Sequence, residues 1–248
     1  MWPIPALEHK FVSVLFSPQA LVCCWIESFV ALRYTPAGHS GRAVQNRQLI
    51  LRAYKRYPLD NLELANFTLF NPTIIKKYIS SFLNEHNLQD AFVAFSLHGP
   101  AVTEQFIAMP TSTPHRTDFK IVGNARSILW EYRYLYPHEN GQFMFYVYTV
   151  PRSLILQYQL LAIGAQCNLI TVSTHTTSLL SAYQYMFGSA FRRSQLAVDM
   201  KRCNNAIETL ISADAINRMV TVGTDINVAQ ERLYLAAAVG LLCSERIV

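Results

Sequence analysis

The chain has 248 residues, 51% hydrophobic and only 15% charged, with a formal net charge of +5. That balance excludes intrinsic disorder, which needs low hydrophobicity and high net charge, and it supplies apolar material for a core of one or two domains. Glycine is scarce at 9 residues, about half of average usage, which argues against a function built on several glycine-rich phosphate loops.

Taken in chain order, Phe11 to Phe16 alternates, with Val12, Val14 and Phe16 on one face, and predicts a strand. Ser17-Pro18-Gln19 turns the chain into a long or broken strand from Ala20 to Leu32. Thr35 to Asn46 is polar, carries two glycines and reads as a loop; Gln48 to Tyr57 predicts a third strand. Asn71 and Pro72 suit the N-cap and first position of a helix to His86, with Ile74, Ile75, Tyr78, Ile79, Phe82 and Leu83 as its apolar stripe. Strands at Ala91 to Leu97 and Val102 to Met109 flank the turn His98-Gly99-Pro100. Ile128 to Tyr136 places Trp130, Tyr132, Tyr134 and Tyr136 on one face, and Asn140-Gly141 signals a hairpin into Phe143 to Thr149. Helices follow at Pro151 to Ile163 and Thr176 to Phe187, around a strand at Asn168 to Val172. Short strands are expected near Gln195 to Met200, Ala206 to Ser212 and Met219 to Val222, then a C-terminal helix containing Leu233 to Val239.

The chemistry of the known motif classes is mostly missing. No run of about 20 apolar residues spans a bilayer, and no basic n-region with an apolar core marks a signal peptide, so a cytoplasmic protein is expected. The five cysteines form no C-x-x-C pair and read as buried, reduced core residues. No G-x-S-x-G elbow, P-loop, dinucleotide fingerprint or H-E-x-x-H occurs, and no metal site is expected. His98 and His175 each end a predicted strand, and Glu131 and Asp199 fall in strands where a carboxylate could reach magnesium through water. Satisfied or solvated histidines, and a turn-capping Asp199, are the plainer alternatives. The tyrosine rows could stack bases, but core packing is the commoner use. Lys55-Arg56, Lys76-Lys77, Arg192-Arg193 and Lys201-Arg202 are scattered, which disfavours a nucleic-acid surface.

At Asn71 to Pro110 the pattern N-P-x-I-I-K-K-Y-I-x-x-F-L, A-F-V-A-F-S-L-H-G-P-A-V and F-I-A-M-P resembles the SHS2-type insert of PilM-like type IV pilus assembly proteins, in the actin-like ATPase superfamily. The element order on either side is similar to that family, as are Gly164-Ala165 and the closing Ala238-Val239-Gly240-Leu241. The resemblance implies an α/β protein: an actin-like (ribonuclease H-like) main domain at 1–65 and 150–248, with an α+β SHS2-type subdomain inserted at 66–149. It places the three phosphate-contacting turns at Ser17, at Asp199, and at Gly223-Thr224. Leu15-Phe16-Ser17-Pro18-Gln19 offers no carboxylate and no glycine, and Met200-Lys201-Arg202 follows Asp199 where glycine would stand. Pro18 also removes a backbone donor. The nucleotide site therefore reads as degenerate and the second lobe as reduced, with no cofactor expected; the alternative is ATP with magnesium bound in an altered site. The implied function is a non-catalytic scaffold, peripheral to the inner membrane, that binds the N-terminal cytoplasmic tail of a PilN-like bitopic protein. By position the tail's groove would involve Leu97, Gly99, Pro100, Ala101 and Val102. The oligomeric state is left open.

Overall fold

A computed structural model describes residues 10–17, 19–33, 44–59, 72–97, 101–119, 127–223 and 225–243. β1 (Lys10–Phe16) is buried on both faces from Val12 onward, as a strand is when helices cover both sides of its sheet. It forms an antiparallel meander with β2 (Ala20–Arg33) and β3 (Val44–Pro58). α1 (Pro72–Glu85) returns the chain to β4 (Phe92–Leu97), which lies parallel to β1. Val44 to Asn46, expected as loop, already pair with β2; the rest of that loop lies outside the described residues, as does Asn71.

A second, antiparallel sheet leaves the carboxyl end of β4. It consists of β5 (Thr103–Met109), β6 (Ile128–Pro137) and β7 (Phe143–Pro151), in the order β5-β7-β6. The hairpin between β6 and β7 turns on Asn140 (φ 56°) and Gly141 (φ 72°), the left-handed pair that suits strand twist and makes Asn-Gly a hairpin signal. α2 (Arg152–Gly164) then leads into β8 (Asn168–Thr174), parallel to β4 at the edge of the first sheet. α3 (His175–Phe187), α4 (Arg193–Arg202), α5 (Ala213–Met219), the two-residue β9 (Val220–Thr221) and α6 (Val228–Cys243) complete the described chain. The large sheet reads β8-β4-β1-β2-β3-β9. The molecule is a mixed α/β protein, as expected.

Helices cover both faces of the large sheet. On one, Tyr158 of α2 meets Phe16 edge-on at 5.0 Å between ring centroids, and Tyr78 of α1 stacks on Tyr57 at 4.6 Å. On the other, α3 and α6 lie over a surface of small residues, and Ser13 donates to the Ala238 carbonyl at 2.9 Å. The two helices touch at Gly240, where an added Cβ would stand 1.7 Å from the Ser178 carbonyl oxygen. Only a residue without a side chain permits that approach.

Four expectations need correction. Gln195 to Met200 is helical: Leu196 and Met200, one helical turn apart, are buried, while Val198 is 57% exposed. Ala197-Val198 makes a short apolar run, and such runs do not distinguish strand from helix. Ala206 to Ser212 contains a 3-10 turn at Ile207–Leu210 rather than a strand; Asn204 and Asn205, both at positive φ, reverse the chain just before it. Tyr136 leaves the aromatic row because a register shift between Tyr134 and Tyr136 turns it toward the main core. Finally, α1 and β4 fall inside the span expected as the insert, 66–149, yet β4 is an interior strand of the large sheet between β8 and β1. The second sheet starts only at Thr103.

Candidate functional site

Because β1, β4 and β8 run parallel, Phe16, Leu97 and Thr174 share one end of the large sheet, and the second sheet rises from that same end. Crevices beyond the carboxyl ends of strands are the usual ligand sites of α/β sheets.

Ser17 stands here, but its polar groups are engaged. Its backbone N–H donates to the Ala20 carbonyl at 2.9 Å, and its Oγ accepts from the Ala20 N–H at 3.0 Å. The Tyr234 hydroxyl of α6 donates to the same Oγ at 3.0 Å. Ser17 is thus held by hydrogen bonds within its own turn and to Tyr234, and its N–H is not free to cradle a phosphate. Tyr234 belongs to a further cluster on α6, where Glu231 accepts from Tyr54 and pairs with Arg56 at 3.3 Å. Burial, then the hydrogen bond to Glu231, holds the Tyr54 phenol well above its ordinary pKa.

The β8–α3 turn carries the densest polar network. Thr174 caps α3, its Oγ1 accepting from the Thr177 N–H at 3.1 Å, and it exchanges hydrogen bonds with Tyr146 of β7 at 2.7 Å and with Thr177 Oγ1 at 2.9 Å. Glu104 of β5 accepts from the Tyr146 hydroxyl and, at 2.8 Å, from Thr176 Oγ1. This network ties the two sheets together. It also sets a carboxylate beside the amino end of α3, where the helix dipole would otherwise favour an incoming anion. Burial first, and the Glu104 charge second, drive the Tyr146 phenol far up from its usual pKa. No sequence motif marks Glu104 or Tyr146, and only the pairing of β5 with β7 and the return of α3 bring them together.

The other expected phosphate-site residues stand on separate elements. Asp199 does not end a strand; it sits in the middle of α4, accepting from Tyr183 of α3 and from Gln195 at 2.9 Å. Among the described residues no hydrogen bond joins it to Ser17. Its carboxylate, after burial, raises the Tyr183 phenol. Gly223 follows β9, and an added Cβ there would meet nothing within 4 Å; Thr224 lies outside the described residues. Of the expected groove, Leu97 is buried and Ala101 and Val102 pack half-buried against the core, while His98, Gly99 and Pro100 lie outside the described residues. Glu131 accepts from the Tyr148 hydroxyl at 2.9 Å, and His175 is the first residue of α3. Among the described residues no cluster of three or more potential ligands could hold a metal. The basic pairs diverge: Lys55 reaches Glu85 on α1, Arg56 reaches Glu231 on α6, and Lys201 pairs with Glu139.

No known family model matches the chain, and no characterised protein matches it in sequence. Solved structures do. The chain superposes on a chain of a PilM-PilN type IV pilus biogenesis complex with a TM-score of 0.51 and 14% identity, over 75% of its own length and 52% of that chain. The fold is PilM-like. The cytoplasmic domain of EpsL, an inner-membrane component of the Vibrio cholerae type II secretion system, also matches, at 9% identity and a TM-score of 0.37, over 68% of this chain and 57% of that one. The chain spans about half the length of the PilM-complex chain.

Proposed function

We propose that the protein is a non-catalytic scaffold of a type IV pilus or related secretion assembly. On this reading it binds the N-terminal cytoplasmic tail of a PilN-like bitopic inner-membrane protein, and through it is held at the cytoplasmic face of that membrane. The observation that carries the proposal is the fold shared with a chain solved in a PilM-PilN complex. The tail's place would be the crevice between the large sheet and the second sheet, beside Leu97, Ala101 and Val102. An extended peptide binds there through backbone pairing and apolar pockets and needs no catalytic group; β5 is an edge strand of the second sheet among the described residues and supplies a backbone rim next to it.

The engaged Ser17 N–H and hydroxyl and the placement of Asp199 inside α4, bonded to Tyr183 and Gln195, support the non-catalytic part of the reading, as does Glu104, whose charge would repel a phosphate entering at α3. Calorimetric titration with the synthetic tail, and separately with ATP and magnesium, tests both parts. Saturable tail binding at micromolar concentration without heat from ATP is expected. Absence of tail binding overturns the scaffold reading, and a saturable ATP signal overturns the degenerate site.

A further inference from the structure

α2 carries two apolar faces, and among the described residues only one is packed. Leu154, Tyr158, Leu161 and Ala162 are buried against the sheet. Leu156, Leu160 and Ile163 are 56%, 66% and 71% exposed. At about 100° per residue the second set projects about 180° from the first, so it forms a convex ridge along the outermost line of the helix and not the wall of a groove.

On α2 and the neighbouring strand β8 the charge has one sign, and Glu85 of α1 is already paired with Lys55. From Asn140 to Val198 the sequence contains no aspartate or glutamate, so neither α2 nor the neighbouring edge strand β8 carries a carboxylate. Arg152 is exposed at the first turn of α2. Lys76 of α1 lays its side chain along Gly164 at the last turn, its Cδ 3.4 Å from where a Cβ would stand, and exposed Lys77 follows it. Among the described residues no ion pair engages Arg152, Lys76 or Lys77. No described helix is long and apolar enough to cross a membrane, so the ridge is a surface feature.

From this we infer that the α2 ridge rests on an anionic lipid surface, with Leu156, Leu160 and Ile163 in the headgroup–acyl boundary and Arg152, Lys76 and Lys77 among the headgroup phosphates. A bilayer accepts a convex apolar line with a cationic rim. A second copy does not match it, because two such faces would bring cations together with no carboxylate to pair them. A helical protein partner fits less well, since helix recognition uses a concave groove. The contact is independent of the tail crevice and would add to it as a second, weak attachment to the same membrane.

The test is co-sedimentation of the full chain with phosphatidylcholine vesicles, with and without about one-third phosphatidylglycerol. The variant is L156S/L160S/I163S, whose sites are exposed enough for the fold to survive; thermal melts and tail titration check that it does. Expected are binding to the anionic vesicles, weakening with salt, and a loss of at least about tenfold in the variant. Failure of the wild type to bind, or equal binding by the variant, overturns the inference. A concentration-dependent dimer in light scattering that the variant dissolves overturns it in favour of a second copy, and loss of tail affinity in the folded variant assigns the ridge to the protein partner. Normal tail binding with no vesicle binding defeats this inference alone and leaves the scaffold reading standing.

Discussion

Gly240→Ala tests the packing that holds α6 onto α3. A Cβ at this position would lie 1.7 Å from the Ser178 carbonyl oxygen, 2.5 Å from its carbon and 3.1 Å from the Ala182 nitrogen. All three are backbone atoms of α3, so no side-chain rotation relieves the clash. Reaching an ordinary contact of 3.4 Å or more requires the helices to part by roughly 1.7 Å, and protein interiors leave no slack for such a shift. The surfaces that would separate are fully packed: Ala236, Ala237, Ala238 and Val239 on α6 and Leu179, Leu180 and Ala182 on α3 are all buried. Overpacking of a tight core costs about 1–3 kcal/mol and occasionally more; a backbone-on-backbone clash at the centre of the interface belongs at the upper end, about 3 kcal/mol. For a chain of this size that lowers Tm by roughly 6–12 °C. Urea denaturation and calorimetry measure it, with Gly223→Ala as control, where the new methyl meets nothing within 4 Å. A loss below about 0.5 kcal/mol in Gly240→Ala, or an equal loss in the control, would refute the close-approach argument.

Three further outcomes follow from the same geometry. Tyr146→Phe removes a donor to Glu104 and a partner of Thr174 and should cost about 1–3 kcal/mol in urea melts; a neutral result would mean the two sheets are not tied there. Burial, and after it the charges of Glu104 and Glu131, raise the phenols of Tyr146 and Tyr148 far above their ordinary value. The folded chain keeps these protons while the unfolded chain loses them above about pH 10, so stability is intact below that pH and falls by about 1.4 kcal/mol per pH unit for each tyrosine above it. Alkaline titration at 295 nm of the wild type beside Tyr146→Phe and Tyr148→Phe checks this, and a tyrosinate signal from the folded protein that either substitution removes would contradict it. Burial pushes the thiols of Cys23 and Cys24 far up, and that of Cys167 to about 11, so a thiolate-seeking disulfide reagent at neutral pH should label these three only on unfolding; rapid labelling of the native protein at these positions would be inconsistent with that burial.

Much of the fold was legible because its signals are local. The Ile75, Ile79, Phe82 and Leu83 stripe marks α1, the Asn140-Gly141 turn marks the β6–β7 hairpin, and the alternation of β1 and β7 marks strands. The errors arose where local pattern is ambiguous or where pairing decides. Ala197-Val198-Asp199 reads as an apolar strand end, yet Val198 faces solvent and Asp199 binds Tyr183 across helices. The boundary of the second sheet depends on β4 inserting between β1 and β8, a contact between segments about 80 residues apart. The candidate site was less legible. The absence of glycine near Ser17 and after Asp199 was visible in sequence, but the Tyr234 hydroxyl that closes the Ser17 turn comes from 217 positions away. Glu104 and Tyr146 meet Thr174 and Thr176 only through tertiary structure, so spacing carries no trace of them.

The crevice beyond β1, β4 and β8 is proposed to receive a peptide rather than a nucleotide. The most direct test is isothermal titration of the full chain with the cytoplasmic N-terminal tail of a PilN-like protein. Saturable one-to-one binding at micromolar concentration or tighter is expected, weakened by substitutions at Ala101 or Val102. A flat titration at that concentration would contradict it.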